Sequence, residues 1–268
     1  MISFPNAKIN LGLNVVARRS DGYHDIETIF YPINWRDALE INDADKFDLE
    51  IKGIEINGDI ESNLITKAYR AVAKNHSIQP IKATLLKNIP MGGGLGGGSS
   101  DAAFMVKMLN DYNHLGLSQC QMEDYVKPIG ADCAFFIANQ PTYAFGKGDE
   151  FDSIELDLSD FKWVVINPLI HVDTRAAYQY LEPKKPTMNV RDVVQLPINE
   201  WKEYLINDFE SSVFKQFKQI EKLKNELYEN GAIYASMSGS GASVYGIFPK
   251  ENTLDFKSKF PNYAVYSA

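Results

Sequence analysis

Apolar and polar positions alternate with period two over residues 2–17, which predicts a long strand. Ser20-Asp21-Gly22 supplies a turn signal, and 26–33 reads as a second strand. Shorter strands are expected at 38–41 and 47–51. Residues 63–72 carry apolar side chains at helical spacing behind Asn63, a good first-turn cap. A strand at 81–89 stops at Pro90, and a run of glycines follows. Ser99, Ser100 and Asp101 are expected to open a helix that sets Ala103, Val106 and Leu109 on one face. A short helix at 119–126 and another beginning near 130–132 come next.

The order then changes. Residues 143–158 contain Gly146, Gly148 and acidic alternation, the pattern of a hairpin or a boundary. After them the pattern predicts a strand at 163–166, several helices (the clearest at 219–229), and a strand at 232–237. The turn Ser238-Gly239-Ser240-Gly241, a strand at 243–248, a helix at 251–260 and a strand at 263–266 complete the chain. With the helices collapsed this half reads β-α-β-β-α-β, the ferredoxin-like order. The expected class is α+β, in two domains, 1–155 and 156–268.

Composition narrows the function. Of 268 residues, 45% are hydrophobic and 23% charged, as in ordinary globular chains. The 27 basic residues against 35 acidic ones leave a net charge of −8, and no basic run exceeds two residues. That excludes wrapping of nucleic acid by the general surface, which needs a basic face to displace counterions. Cys120 and Cys133 lack metal-site spacing and read as reduced thiols of a cytoplasmic protein. The first residues have no signal-peptide pattern, and no window approaches 18 apolar residues, so neither secretion nor a membrane partner is expected. Monomer and homodimer both remain open.

The candidate chemistry gathers at Pro90-Met91-Gly92-Gly93-Gly94-Leu95-Gly96-Gly97-Gly98-Ser99-Ser100, where six of the 18 glycines occupy seven positions. Glycine backbone lets a ligand approach the main chain closely. The helix behind it would present unpaired N–H groups and the positive end of its dipole, a cradle for nucleotide phosphates. Ser99 and Ser100 could cap that helix, bind phosphate oxygen or help hold Mg²⁺. The run is not a P-loop, because Gly98 stands where the lysine belongs. It fits G-x-G-x-x-G at Gly92, Gly94 and Gly97, but residues 115–119 supply no acidic strand end for a dinucleotide fold. The triplets of protein kinases are absent from the sequence.

This run resembles the second motif of the GHMP kinase superfamily of small-molecule kinases. Pro5-Asn6-Ala7-Lys8-Ile9-Asn10-Leu11 resembles its first motif, and Met237-Ser238-Gly239-Ser240-Gly241-Ala242-Ser243 its third. Two more segments, Arg18-Arg19-Ser20-Asp21-Gly22-Tyr23-His24 and Ile129-Gly130-Ala131-Asp132-Cys133-Ala134-Phe135-Phe136, resemble the branch whose acceptor carries a cytosine base. In the second of these Ala134 stands where the branch has proline. The resemblance implies a two-domain GHMP kinase fold, with an N-terminal domain of the ribosomal-protein-like type and a ferredoxin-like C-terminal domain. It implies ATP and Mg as cofactors, and transfer to the 2-hydroxyl of a cytidylyl-linked small alcohol in the non-mevalonate isoprenoid precursor pathway.

By the same resemblance Asp132 is the general base and Lys8 its catalytic partner. From the residues alone, Asp132 could equally be a helix N-cap, and Lys8 an edge-strand lysine facing solvent. Asn10 shares the face of Lys8 in an extended strand, and the resemblance puts it beside the acceptor. By the resemblance Tyr23 would stack on the base, His24 would bond its polar edge, and Tyr178, sharing a helix face with Thr174, would close the stack; from the residues alone Tyr178 could equally be a core aromatic. Gly239 and Gly241 make a tight turn, which the resemblance closes over the substrate phosphates. A homoserine- or mevalonate-type kinase, or a non-catalytic RNA-binding module, remain the alternatives. His76, His114 and His171 show no partner pattern in the sequence.

Overall fold

The structure is a computed structural model that describes residues 1–56, 58–179 and 181–268. In chain order its strands are β1 (Ile2–Ser3), β2 (Asn6–Arg18), β3 (His24–Arg36), β4 (Ala38–Asp43), β5 (Asp48–Gly53), β6 (Ile81–Lys87), β7 (Thr142–Phe145), β8 (Glu150–Ser153), β9 (Phe161–Asn167), β10 (Tyr234–Met237), β11 (Val244–Pro249) and β12 (Ala264–Ser267). The helices are α1 (Leu64–Ala73), α2 (Gly97–Tyr112), α3 (Gln119–Val126), α4 (Phe135–Ala138), α5 (Thr174–Tyr178), α6 (Val190–Val193), α7 (Trp201–Tyr204), α8 (Glu210–Gln216), α9 (Lys218–Glu229) and α10 (Phe256–Lys259).

Two compact units interleave in sequence. One comprises Met1–Ala7, Pro32–Met91 and Gly96–Gln140; the other comprises Lys8–Tyr31, Gly92–Leu95 and Pro141–Ala268. Strand pairing explains the interleaving. Residues 28–30 of β3 pair with residues 142–144 of β7, so an early strand is claimed by a hairpin far along the chain. Residues 156–268 lie wholly in the second unit, which also takes in 8–31, 92–95 and 141–155.

In the first unit β1, β4, β6 and β5 form a sheet in that order. β5 and β6 are parallel, so a crossover must join them, and α1 provides it. α1 buries Ile65, Ala68, Tyr69 and Val72 at helical spacing, and the Asn63 side chain accepts from Ile65 N at 2.9 Å, as the sequence predicted. α2 begins at Gly97, two residues before the expected serines, with Gly96 as its left-handed N-cap at φ +69°. The serines therefore lie inside the first turn and do not cap it. The helix expected near 130–132 starts only at Phe135. Cys133 N bonds Gly130 O at 3.1 Å in a separate turn, which delays the helix.

In the second unit β2, β3, β7 and β8 form one sheet and β10, β11, β9 and β12 another. The second sheet is antiparallel throughout. Taken as strands one to four of the C-terminal segment, its spatial order is 2-3-1-4, the ferredoxin-like arrangement. Ile220, Leu223 and Leu227 of α9 pack with Val164, Ile166 and Val244 of the sheet in one apolar core. The helix expected at 251–260 is confined to α10, because Asp255 accepts from Lys257 N and Ser258 N and so caps a late start.

Candidate active site

Lys8 lies on β2 among apolar neighbours and is 3% exposed, which removes the solvent-facing reading. Its ammonium donates to Asn10 Oδ1 at 2.6 Å and stands 4.6 Å from the Phe30 ring centroid. Strand alternation puts both side chains on one face, as predicted, and the aromatic ring offers the cation its negative face. Asn10 Nδ2 donates to Thr28 Oγ1 at 3.1 Å, and Thr28 in turn donates to Gly12 O at 2.5 Å. The Asn10 amide orientation is thereby set by a buried chain of donors and acceptors. Lys8 N donates to Leu95 O at 2.9 Å, so the same strand holds the middle of the glycine run.

The second unit grips residues 92–95 closely. Ser238 Oγ donates to Gly94 O at 2.8 Å, and Ser243 N donates to Gly93 O at 3.2 Å. Asn167 Nδ2 donates to Ser243 Oγ at 2.9 Å, and a Cβ added to Gly93 would meet that nitrogen at 2.2 Å. Gly94 has φ +74°, and a Cβ there would meet the Ser238 carbonyl oxygen at 2.0 Å. Both steric room and backbone hand therefore demand glycine at 94. Gly239 belongs to the same packing, since its Cβ would lie 3.3 Å from both Asn10 Oδ1 and Gly94 Cα. Gly241 lies two residues further along this turn, at φ +91°. Asn167 and Thr28 carried no signal in the sequence beyond being polar residues in apolar strands, while Ser238 and Ser243 stood in the segment that resembles the third motif without a role of their own.

In the first unit Ile89 and Pro90 are buried ahead of an exposed Met91. The ladder of α2 opens with Ser100 N donating to Gly96 O at 2.9 Å, so the N–H groups of Gly97, Gly98 and Ser99 precede it without helical acceptors. No side chain caps them, and Gly98 is exposed. This is the geometry of an anion cradle. Ser100 is wholly buried, and its hydroxyl has no hydrogen-bond partner among the described residues. Ser99 is the half-buried hydroxyl of the pair.

Asp132 is half-buried in the turn before α4, whose N-cap is Ala134, so the helix-capping reading of Asp132 does not hold. Ala134 has φ −64°, a value proline also adopts. Burial pushes the neighbouring Cys133 thiol up to about 11, with a Ser99 hydrogen bond opposing and the Asp132 charge adding to the shift.

Tyr23 is 63% exposed after its turn. His24 stacks on Tyr178, which meets Phe209 edge-on at 4.7 Å. Burial, and then the Arg18 charge, hold the His24 imidazole below its ordinary value. Thr174 and Tyr178 share the single turn of α5, capped by Asp173, and Thr174 Oγ1 lies 2.8 Å from Ser240 Oγ. His171 lies beside the glycine run: a Cβ on Gly92 would come within 3.3 Å of its Nδ1. His76 pairs elsewhere, with the Tyr125 hydroxyl at 2.8 Å. Among the described residues no cluster of His, Cys, Asp or Glu could hold a metal by itself, and no helix is long and apolar enough to cross a membrane.

A buried lysine on β2, a glycine run opening a helix and a ferredoxin-like sheet define a class of small-molecule kinase. The family model "GHMP kinases N terminal domain" matches residues 63–147, and "GHMP kinases C terminal" matches 196–262. The chain belongs to the GHMP kinase family. It is 53% identical to the 4-diphosphocytidyl-2-C-methyl-D-erythritol kinase of Bacteroides thetaiotaomicron, over 95% of this chain and 94% of that protein. It is 48% identical to the kinase of the same name from Bacteroides fragilis, over 97% of each chain. A crystal structure of 4-(cytidine 5'-diphospho)-2C-methyl-D-erythritol kinase superposes with a TM-score of 0.79 at 27% identity, covering 92% of this chain and 90% of that one. The Methanococcus jannaschii mevalonate kinase shares the fold, with a TM-score of 0.74 at 12% identity over 100% of this chain and 97% of that one.

Proposed function

We propose that this kinase transfers the γ-phosphoryl group of ATP to the 2-hydroxyl of 4-diphosphocytidyl-2-C-methyl-D-erythritol, in the cytoplasm, as a step of the non-mevalonate isoprenoid precursor pathway. The observation that carries the reading is 53% identity, over 95% of the chain, to a kinase of that name. The acceptor oxygen attacks the γ-phosphorus, the bond from that phosphorus to the β,γ-bridging oxygen breaks, and ADP leaves. Asp132 accepts the hydroxyl proton as the new bond forms. Lys8, held by Asn10, places a positive charge beside the acceptor oxygen and the charge that develops on the phosphoryl group. The N–H groups of Gly97, Gly98 and Ser99 receive the phosphates, and residues 90–96 and Ser100 complete the ATP loop. Gly239 and Gly241 close the turn over the substrate phosphates.

Mg²⁺ arriving with ATP would be held by phosphate oxygens and the Ser99 hydroxyl, since Ser100 is buried, and would neutralise phosphate charge. Tyr23, His24, Thr174 and Tyr178 form the cytosine side of the acceptor site. Purified protein with ATP should phosphorylate the cytidylyl substrate at least a hundredfold faster than homoserine or mevalonate. Preferred turnover of either of those alcohols would replace this acceptor. Salt-dependent RNA binding without any transfer would replace the enzymatic reading.

A further inference from the structure

The inward residues of β6 are Ile81, Ala83, Leu85 and Lys87, so the last inward position of an apolar strand carries a charge. The Lys87 side chain is 1% exposed. Its ammonium donates to Asp37 Oδ2 and, at 2.7 Å, to Asp101 Oδ2. An ammonium at this depth needs a counter-charge, but one carboxylate would supply it. The second carboxylate exceeds what charge balance needs: burial pushes the Asp101 carboxyl up to about 7 despite the ammonium beside it, and Asp101 Oδ1 has no hydrogen-bond partner among the described residues. Charge balance therefore does not account for Asp101.

Position does. Asp37 Oδ1 accepts from Asn88 N at 2.6 Å and from Ile89 N at 2.8 Å, the two residues that lead into Pro90 and the glycines. Asp101 sits in the opening turns of α2, immediately past Ser100. The Lys87 ammonium also lies 2.9 Å from where a Cβ on Gly97 would stand. One buried ammonium thus ties the lead-in of the glycine run to its exit. A glycine-rich segment loses more backbone entropy on ordering than any other, and anchoring both ends reduces what ligand binding must still order.

We propose that Asp101, acting through Lys87 and Asp37, is a positioning residue that holds the glycine run in its nucleotide-receiving form before ATP arrives. The proposal rests on the reading of that run as the ATP phosphate loop. Asp101→Ala leaves the neutral pair of Lys87 and Asp37, so it removes the exit anchor without stranding a charge. In the nucleotide-free full-length variant, amide hydrogens of residues 92–99 should exchange at least tenfold faster than in the parent protein. The KM for ATP should rise about tenfold, while kcat and the KM for the cytidylyl acceptor stay within twofold. Asp101→Asn keeps an oxygen for Lys87 and should restore both readouts to within threefold of the parent. Unchanged exchange and an unchanged KM for ATP in folded Asp101→Ala would overturn the proposal, as would Asn behaving like Ala. If Asp101→Ala does not fold, Asp101→Ser carries the same measurements. Failure of the parent protein to bind or use ATP would instead overturn the reading of the site, and the exchange comparison would still decide the anchor.

Discussion

His24 and Tyr178 lie face to face, with ring centroids 4.7 Å apart and planes 16° from parallel. An aromatic ring inserted between two others needs about 7 Å, twice the usual stacking distance of carbon atoms. A base flanked by Tyr23 and Tyr178 must therefore displace His24 from the Tyr178 face, or stack on Tyr23 while His24 stays. Stacking is worth about 1–3 kcal/mol per base, so Tyr23→Ala should raise the KM for the cytidylyl substrate roughly 5- to 150-fold. Tyr178→Ala should do the same only if His24 is displaced. Neither change should alter the KM for ATP, and steady-state kinetics with each substrate varied separates these outcomes.

The His24 shift gives a pH profile with a definite sign. Burial lowers its value, so the ring stays neutral through neutral pH and gains its proton only below the ordinary imidazole value of about 6.5. The KM for the acceptor should be flat from pH 7 to 8 and climb on acidification below that value. A climb beginning above pH 7 would mean that the ring is held in its charged form.

Asp132→Asn removes the proposed proton acceptor and nothing else of size. General-base catalysis contributes about 10²–10⁴-fold, and kcat should fall by that factor while ATP binding, followed by calorimetry, stays within twofold. Near-parental turnover would rule out the assignment.

The glycines of the run divide into two kinds. At Gly94 the fold itself demands glycine, since φ is +74° and a Cβ would strike the Ser238 carbonyl oxygen at 2.0 Å. Gly94→Ala should lower the melting temperature. At Gly98 the nearest atom to a Cβ is Leu64 Cδ1 at 3.6 Å, and the residue is helical and exposed. Gly98→Ala should stabilise the folded protein by about 0.5–1 kcal/mol. If phosphate approaches that backbone, the same variant should raise the KM for ATP severalfold.

The two thiols should react very differently. Cys120 is exposed, whereas Cys133 is buried and pushed up to about 11. At pH 8 the Cys133 thiolate fraction is then on the order of a thousandth, against about a quarter for an ordinary thiol. Native protein should release one equivalent of chromophore from an aromatic disulfide reagent promptly, and the second only on unfolding.

Local pattern alone determined much of this protein. Strand alternation, the Asn63 cap, the β-α-β-β-α-β order and the placing of the glycine run between strand and helix all follow from spacings of a few residues. Lys8 and Asn10 could be paired on one strand face because the strand period is two. Tertiary structure decided what depends on partners distant in sequence. It sorted residues 8–31 with 141–268 because hydrogen-bond ladders join strands irrespective of chain distance. It moved the start of α2 back to Gly97, since glycine propensity argues against a helix that the surrounding packing nonetheless imposes. The contacts of Ser238, Asn167 and Lys87 could not be read from the sequence. Their partners lie 144, 76, and 50 and 14 residues away, respectively, and no local spacing encodes a contact made only when the backbone closes.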